Sequence, residues 1–190
     1  QNRQQDDAKA LVLVQQQLEK APEGKRIEQA DLNQAVAAAS HATRSTIFRL
    51  ARDVRRAAWR NPADRDVIEL TIPVFRALIS ADPNYHRDHG QLAYALKDQS
   101  NPDYAAAKQE LNEAMRLRGP WKENGYEVYE MNRAECTIRM ETAEGRLNNS
   151  PDPIKNEIRS DLEVANAGGL GDTIKTEVVF TDWIQANPVQ

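Results

Sequence analysis

Four arginines, Arg49, Arg52, Arg56 and Arg60, stand three and four residues apart. On a helix this spacing gathers the guanidinium groups on one face, opposite Leu50, Val54 and Ala58. Such a face can grip phosphates or an acidic peptide. The plainer reading is a solvated face, or one paired with acidic neighbours. His86 and His89 lie three apart with Asp88 between them, a spacing open to two ligands of one metal ion. No third ligand is evident, so structural histidines are favoured and no metal is expected. Cys136 is alone, which excludes an intrachain disulfide and a cysteine zinc site; it reads as an inert packed thiol. Gly168-Gly169-Leu170-Gly171 could offer N–H groups to an anion, but it lacks phosphate-loop spacing and follows no strand, so it reads as a helix stop and turn. Paired carboxylates such as Asp6-Asp7 and Glu110/Glu113 belong on surfaces that an acidic helical protein must solvate. With no Ser/His/Asp arrangement either, no catalytic residue and no cofactor are expected, and the chain reads as a non-enzyme.

The elements that must carry these residues are helices. Ala10, Leu11, Val14 and Leu18 mark a first helix over about residues 6–20, and Ala21-Pro22-Glu23-Gly24 break it. A second helix starts near Ile27 with Leu32, Ala35, Val36 and Ala39; the pattern leaves open whether it ends near His41. A third runs from Thr43 to Arg60, with Ile47, Leu50, Val54 and Ala58 as its apolar stripe, and stops at Asn61-Pro62. Further helices are predicted over 64–81, with Pro73 as a kink or interruption, and over 85–97, 102–117, 126–142, 153–166 and 172–185. Gly119-Pro120 supplies a cap and stop. Val178-Val179-Phe180 is the nearest approach to a strand, and it sits in a helical pattern.

Composition agrees. Among 190 residues there are only 8 Gly, 9 Pro and 3 Phe, while Ala, Gln, Glu, Arg and Leu, all good helix formers, dominate. A chain of this size should bury roughly 70% of its unfolded surface. The net charge of −4 argues against a general nucleic-acid binder. Yet seven arginines and only two aspartates fall between His41 and Arg65, a basic island in an otherwise acidic chain. No apolar run approaches the ~20 residues of a membrane span. The lone cysteine fits a reducing, cytoplasmic setting. The chain starts at Gln1 rather than Met, and an upstream segment is expected.

Residues 82–120, DPNYHRDHGQLAYALKDQSNPDYAAAKQELNEAMRLRGP, resemble a tetratricopeptide (TPR) repeat. Leu92, Ala93 and Leu96 match the large–small–large positions of that family's first helix. Ala107, Leu111 and Ala114 match the small–large–small positions of its second. Small side chains let two helix backbones approach, and large ones fill the flanking gaps. The loop 98–103 is about two residues longer than the family's turn, and Gly119 stands near its usual proline. Residues 64–81 look like the second helix of a preceding repeat. Tyr129, Asn132, Arg133, Ala134 and Cys136 resemble the start of a following one, answered by Ile158, Leu162 and Ala165. Arg133 departs from the usual apolar residue. The resemblance covers about residues 43–165 and is strong for one repeat; any antiparallel helical bundle can show similar small–large pairs.

The fold class expected is therefore all-α: antiparallel helical hairpins stacked as a short TPR-like solenoid with extra N- and C-terminal helices. The divisions are 1–60 for the N-terminal helices, 61–170 for the repeats and 171–190 for a capping helix, in one continuous domain. The resemblance implies a protein- or peptide-binding module, adaptor or sensor in a larger protein, with a concave face formed by Arg87, Gln91, Tyr94 and Lys97, then Asn132, Glu135 and Arg139. In that family an Asn at the position of Asn132 holds a peptide backbone by donating and accepting at once. Arg87, Gln91, Asn132 and Arg139 should then be open to solvent and Leu92, Leu96, Leu111 and Ala134 buried. The alternative is nucleic-acid or anionic-ligand binding through the arginine-rich helix 44–60.

Overall fold

The computed structural model describes residues 2–19, 26–120 and 123–188. Of these 80% are helical, and none lies in a strand: the fold is all-α. The expected break at Ala21-Pro22-Glu23-Gly24 falls outside the described residues. The chain forms two compact units, residues 1–102 and 103–190, the boundary lying inside the block 61–170.

The first unit contains α1 (Asn2–Leu18), α2 (Gln29–Ala38), α3 (His41–Trp59), a 3₁₀ turn (Pro62–Asp64), α4 (Arg65–Ala81) and α5 (His86–Asp98). Helix α4 is its hub, packing on α1, α2, α3 and α5. Its burial explains that place: Ile68, Thr71, Ile72, Val74, Phe75, Ala77 and Leu78 are all buried, too many for one stripe, so α4 must be covered on several sides. Pro73 does not interrupt α4. A proline removes one backbone donor and crowds the preceding turn. Two glutamine side chains serve carbonyls of this stretch: Gln17 Nε2 donates to Leu70 O at 3.2 Å and Gln29 Nε2 to Pro73 O at 2.9 Å.

Helices α2 and α3 are separate. Ala39 and Ser40 are extended, and the Ser40 hydroxyl caps α3 by accepting from Thr43 N at 3.2 Å. The buried register of α3 is Ile47, Ala51, Arg55 and Ala58. This corrects the expected stripe: Leu50 is 37% exposed and Val54 only half-buried, because the packed face is rotated toward a charged residue, Arg55.

The second unit contains α6 (Tyr104–Arg118), α7 (Val128–Ala143), α8 (Asp152–Ala165), a π turn (Asn166–Leu170), α9 (Gly171–Thr176) and α10 (Val178–Ala186). Helix α7 packs on α6, α8 and α10. The core joins Ala134 and Ile138 to Ile158, Leu162 and Ala165, with Ile174, Phe180 and Trp183 closing it. Gly119 ends α6 at φ 71°, and Gly169 turns the chain at φ 96°, a backbone region that favours glycine. The expected last helix is two. The chain is extended at Glu177, where the Thr176 hydroxyl donates to the carbonyls of Asp172 and Thr173, competing with the helical ladder.

Arg133, where the repeat resemblance implies an apolar residue, has a polar answer. Its Nε and Nη2 donate to both oxygens of Asp161 at 2.8 and 2.7 Å, and its Nη1 to Asn112 at 3.0 Å. One side chain thereby ties α7 to α8 and α6.

Candidate functional site

The local geometry of α3 builds one wall of a cavity. His41, Arg44, Ser45, Phe48, Arg49 and Arg52 recur at spacings of three, one, three, one and three, which places them along one side of the helix. They face Leu78, Asp82, Tyr85, Arg87 and Asp88 across a cavity of about 370 Å³, wholly within the first unit. Phe48 anchors this wall. Its ring meets the edges of Phe75 on α4 and Tyr85 at centroid distances of 6.5 and 6.2 Å, and the Arg52 guanidinium lies over it at 5.9 Å.

Four arginines, Arg44, Arg49, Arg52 and Arg87, therefore border one small volume. Arg44 Nη1 donates to Ala39 O at 3.0 Å, Arg49 Nη2 to the Thr46 hydroxyl at 3.1 Å, and Arg52 Nε to Asp53 at 3.0 Å. Each of these fixes one edge of a five-donor fork and leaves further N–H groups on it. Two acids stand opposite, Asp82 and Asp88. Asp82 caps the end of α4 and accepts from Asn84 N at 3.3 Å.

Asp88 is unusual. It is 3% exposed, and its Oδ1 has no hydrogen-bond partner. Burial, helped by the nearby charge of Asp82, pushes its carboxyl up to about 7, against the opposing pull of His89 and Arg44. The cavity thus holds four arginines against two acids, and one of these, Asp88, is half neutral near pH 7.

The residues marked in the sequence fall as follows. Arg49, Arg52 and Arg87 line the cavity; Arg56 and Arg60 are exposed and lie outside its lining. On α5, Gln91 Oε1 accepts from Arg55 Nε at 2.9 Å, the Arg55 guanidinium stacks on Tyr94 at 5.2 Å, and buried Lys97 donates to Asp98 at 2.8 Å. Arg55 is itself only 7% exposed, and burial lowers its pKa. On α7, Asn132 is 7% exposed and its Nδ2 donates to Val128 O at 2.7 Å, whereas an open side chain was expected. Exposed Arg139 pairs with Glu135 at 3.7 Å. Leu92, Leu96, Leu111 and Ala134 are buried.

His89 Nε2 lies 2.9 Å from Pro83 O; a carbonyl only accepts, so this nitrogen carries the proton. Among the described residues no cluster of three or more His, Cys, Asp or Glu is placed to hold a metal. Cys136 is buried. Among the described residues no helix is long and apolar enough to cross a membrane.

Sequence reasoning missed His41, Phe48 and Tyr85, placed Arg44 only within the arginine-rich helix 44–60, and saw Asp88 only as the residue between two histidines. The run Arg44, Phe48, Arg52 at intervals of four was the available signal for one wall; nothing local marked the other. Comparison with known proteins found no matching family model, no matching curated protein and no matching solved structure.

Proposed function

We propose that the chain is a non-catalytic binding module of TPR-like helical hairpins, and that its cavity between α3, the end of α4 and the start of α5 takes a short acidic segment of a partner protein. The convergence of Arg44, Arg49, Arg52 and Arg87 on one cavity carries this reading. Guanidinium forks suit carboxylates in geometry as well as charge. Of the concave-face residues implied by the repeat resemblance, Arg87 belongs to this cavity; Gln91, Tyr94 and Lys97 have intramolecular partners, and so does Asn132.

A peptide is favoured over nucleic acid for two reasons. Arg56 and Arg60 leave the cavity, so the basic residues form a pocket rather than a track along which a phosphate backbone could run. The chain as a whole is acidic, at −4, which repels a polyanion outside that one patch.

The experiment is fluorescence-anisotropy titration of a labelled hexaglutamate peptide, with oligothymidylate as the comparison, at low and high salt. Arg49→Glu/Arg52→Glu is expected to weaken hexaglutamate binding by about tenfold or more, while Arg56→Glu/Arg60→Glu changes it less than about threefold. Tighter binding of oligothymidylate that depends on Arg56 and Arg60 would transfer the function to the basic stripe. Failure of hexaglutamate to bind at all would end the acidic-segment reading.

A further inference from the structure

The acidic-segment reading leaves Asp88 without a role, since an acid inside an anion site should repel the ligand. Its surroundings resolve this. From α3 it shares the cavity with His41, Arg44, Arg49 and Arg52; from the end of α4 with Asp82; and on α5 it is flanked by Arg87 and His89, with His86 one residue further. The charge of Arg44 acts to lower the Asp88 pKa, yet Arg44 Nη1 is directed to the carbonyls of Ala37 and Ala39 at 3.5 and 3.0 Å. Asp88 lines the cavity, and its Oδ1 is buried with no hydrogen-bond partner. A buried acceptor in that state is costly for an ionised carboxylate and much less so for a neutral acid.

Resting on the acidic-segment reading, we infer that Asp88 works in its neutral form, donating its carboxyl proton to a carboxylate oxygen of the bound segment, so that each segment is captured together with one proton. The arginines supply charge, and the Asp88 O–H supplies a short charge-assisted hydrogen bond. No covalent bond changes; the proton comes from solvent and returns to it on release. The pKa of the free carboxyl, raised to about 7 by burial, puts this coupling in the neutral range. Above it the unliganded site carries one more negative charge and must take up a proton to bind. Affinity should then fall with rising pH, with a limiting slope of about tenfold per pH unit. Glutamate side chains in the peptide titrate near ~4.3 and stay ionised throughout.

The test titrates labelled hexaglutamate with the wild-type chain from about pH 6 to about pH 9, and measures proton uptake by calorimetry in two buffers of different ionisation enthalpy. Wild type should show the falling affinity and an uptake approaching one proton per peptide on the alkaline side. Asp88→Asn, which keeps the shape and offers an amide donor, should bind with an affinity that no longer changes with pH and with no proton uptake. Asp88→Ser, a smaller donor, provides the same comparison if the Asn variant fails to fold. His41→Gln should keep the slope. Hexaglutamate binding with a flat pH profile in wild type, a slope that persists in both Asp88 variants, or a slope abolished by His41→Gln would each overturn the inference while leaving the acidic-segment reading in place. No binding at any pH would overturn both.

Discussion

Asp7 of α1 grips Ser40, the residue that caps α3: its Oδ1 accepts from Ser40 N at 2.6 Å and its Oδ2 from Ser40 Oγ at 3.0 Å. The hydroxyl oxygen in turn accepts from Thr43 N at 3.2 Å. One carboxylate on the first helix thus fixes where α3 begins, and with it the positions of His41, Arg44 and Ser45 in the cavity wall.

Asp7→Ala should therefore lower the thermal midpoint and loosen the start of α3, seen as faster amide exchange over residues 41–46. The backbone hydrogen bond from Ser40 is the chief cause that lowers the Asp7 pKa, with the Ser40 and Thr43 side chains adding to it. A carboxyl whose native pKa lies below its unfolded value stabilises the fold above that unfolded value, ~3.9, and the contribution is lost as pH falls through the native one. The gap in thermal midpoint between wild type and Asp7→Ala should be constant near neutrality and close on acidification. A gap that widened in acid would contradict the geometry.

Arg133 and Asp161 form a bidentate pair in which Asp161 is only 2% exposed. Burial raises the Asp161 pKa more than the Arg133 hydrogen bonds and charge lower it, while the Asp161 hydrogen bond raises that of Arg133. The pair is therefore held at a desolvation cost. Arg133→Met should destabilise the chain by about 3–5 kcal/mol, because it strands a buried acid, and adding Asp161→Leu should recover most of that loss. Urea unfolding of the two variants checks both numbers. A double variant no better than the single one would show that packing, not the stranded charge, sets the cost.

Asn132→Ala removes a hydrogen bond to Val128 O within α7. It should cost about 1 kcal/mol of stability and leave hexaglutamate affinity unaltered. A loss of affinity at unchanged stability would instead give Asn132 the peptide-holding role implied by the repeat resemblance.

Much of the helical architecture was legible locally. Asn61-Pro62 stops α3 and Gly119 ends α6 because proline and glycine act on their own backbone dihedrals and donors, whatever packs around them. The end of α2 was left open, since Ser40 is a capping residue in a pattern that could equally continue as helix; the decision came from Asp7, 33 residues away. The division of the last helix at Glu177 was hidden for a similar reason. Its apolar period continues across the break, and the Thr176 hydroxyl sets the local geometry only once Phe180 and Trp183 turn into the core with Ile174.

By itself the sequence determined that the chain is helical, where its strongest stops fall, and that a basic cluster lies between His41 and Arg65, because propensity, backbone chemistry and net charge are properties of neighbouring residues. Only the tertiary structure decided which arginines serve a cavity and which face solvent. It also put Arg55 rather than Leu50 into the buried register of α3, where Gln91 and Tyr94 receive it, and gave Asp88 its raised pKa by burying it beside Asp82. Burial and charge proximity sum over segments remote in the chain, and the spacing of residues along one helix carries no record of what another helix brings to it.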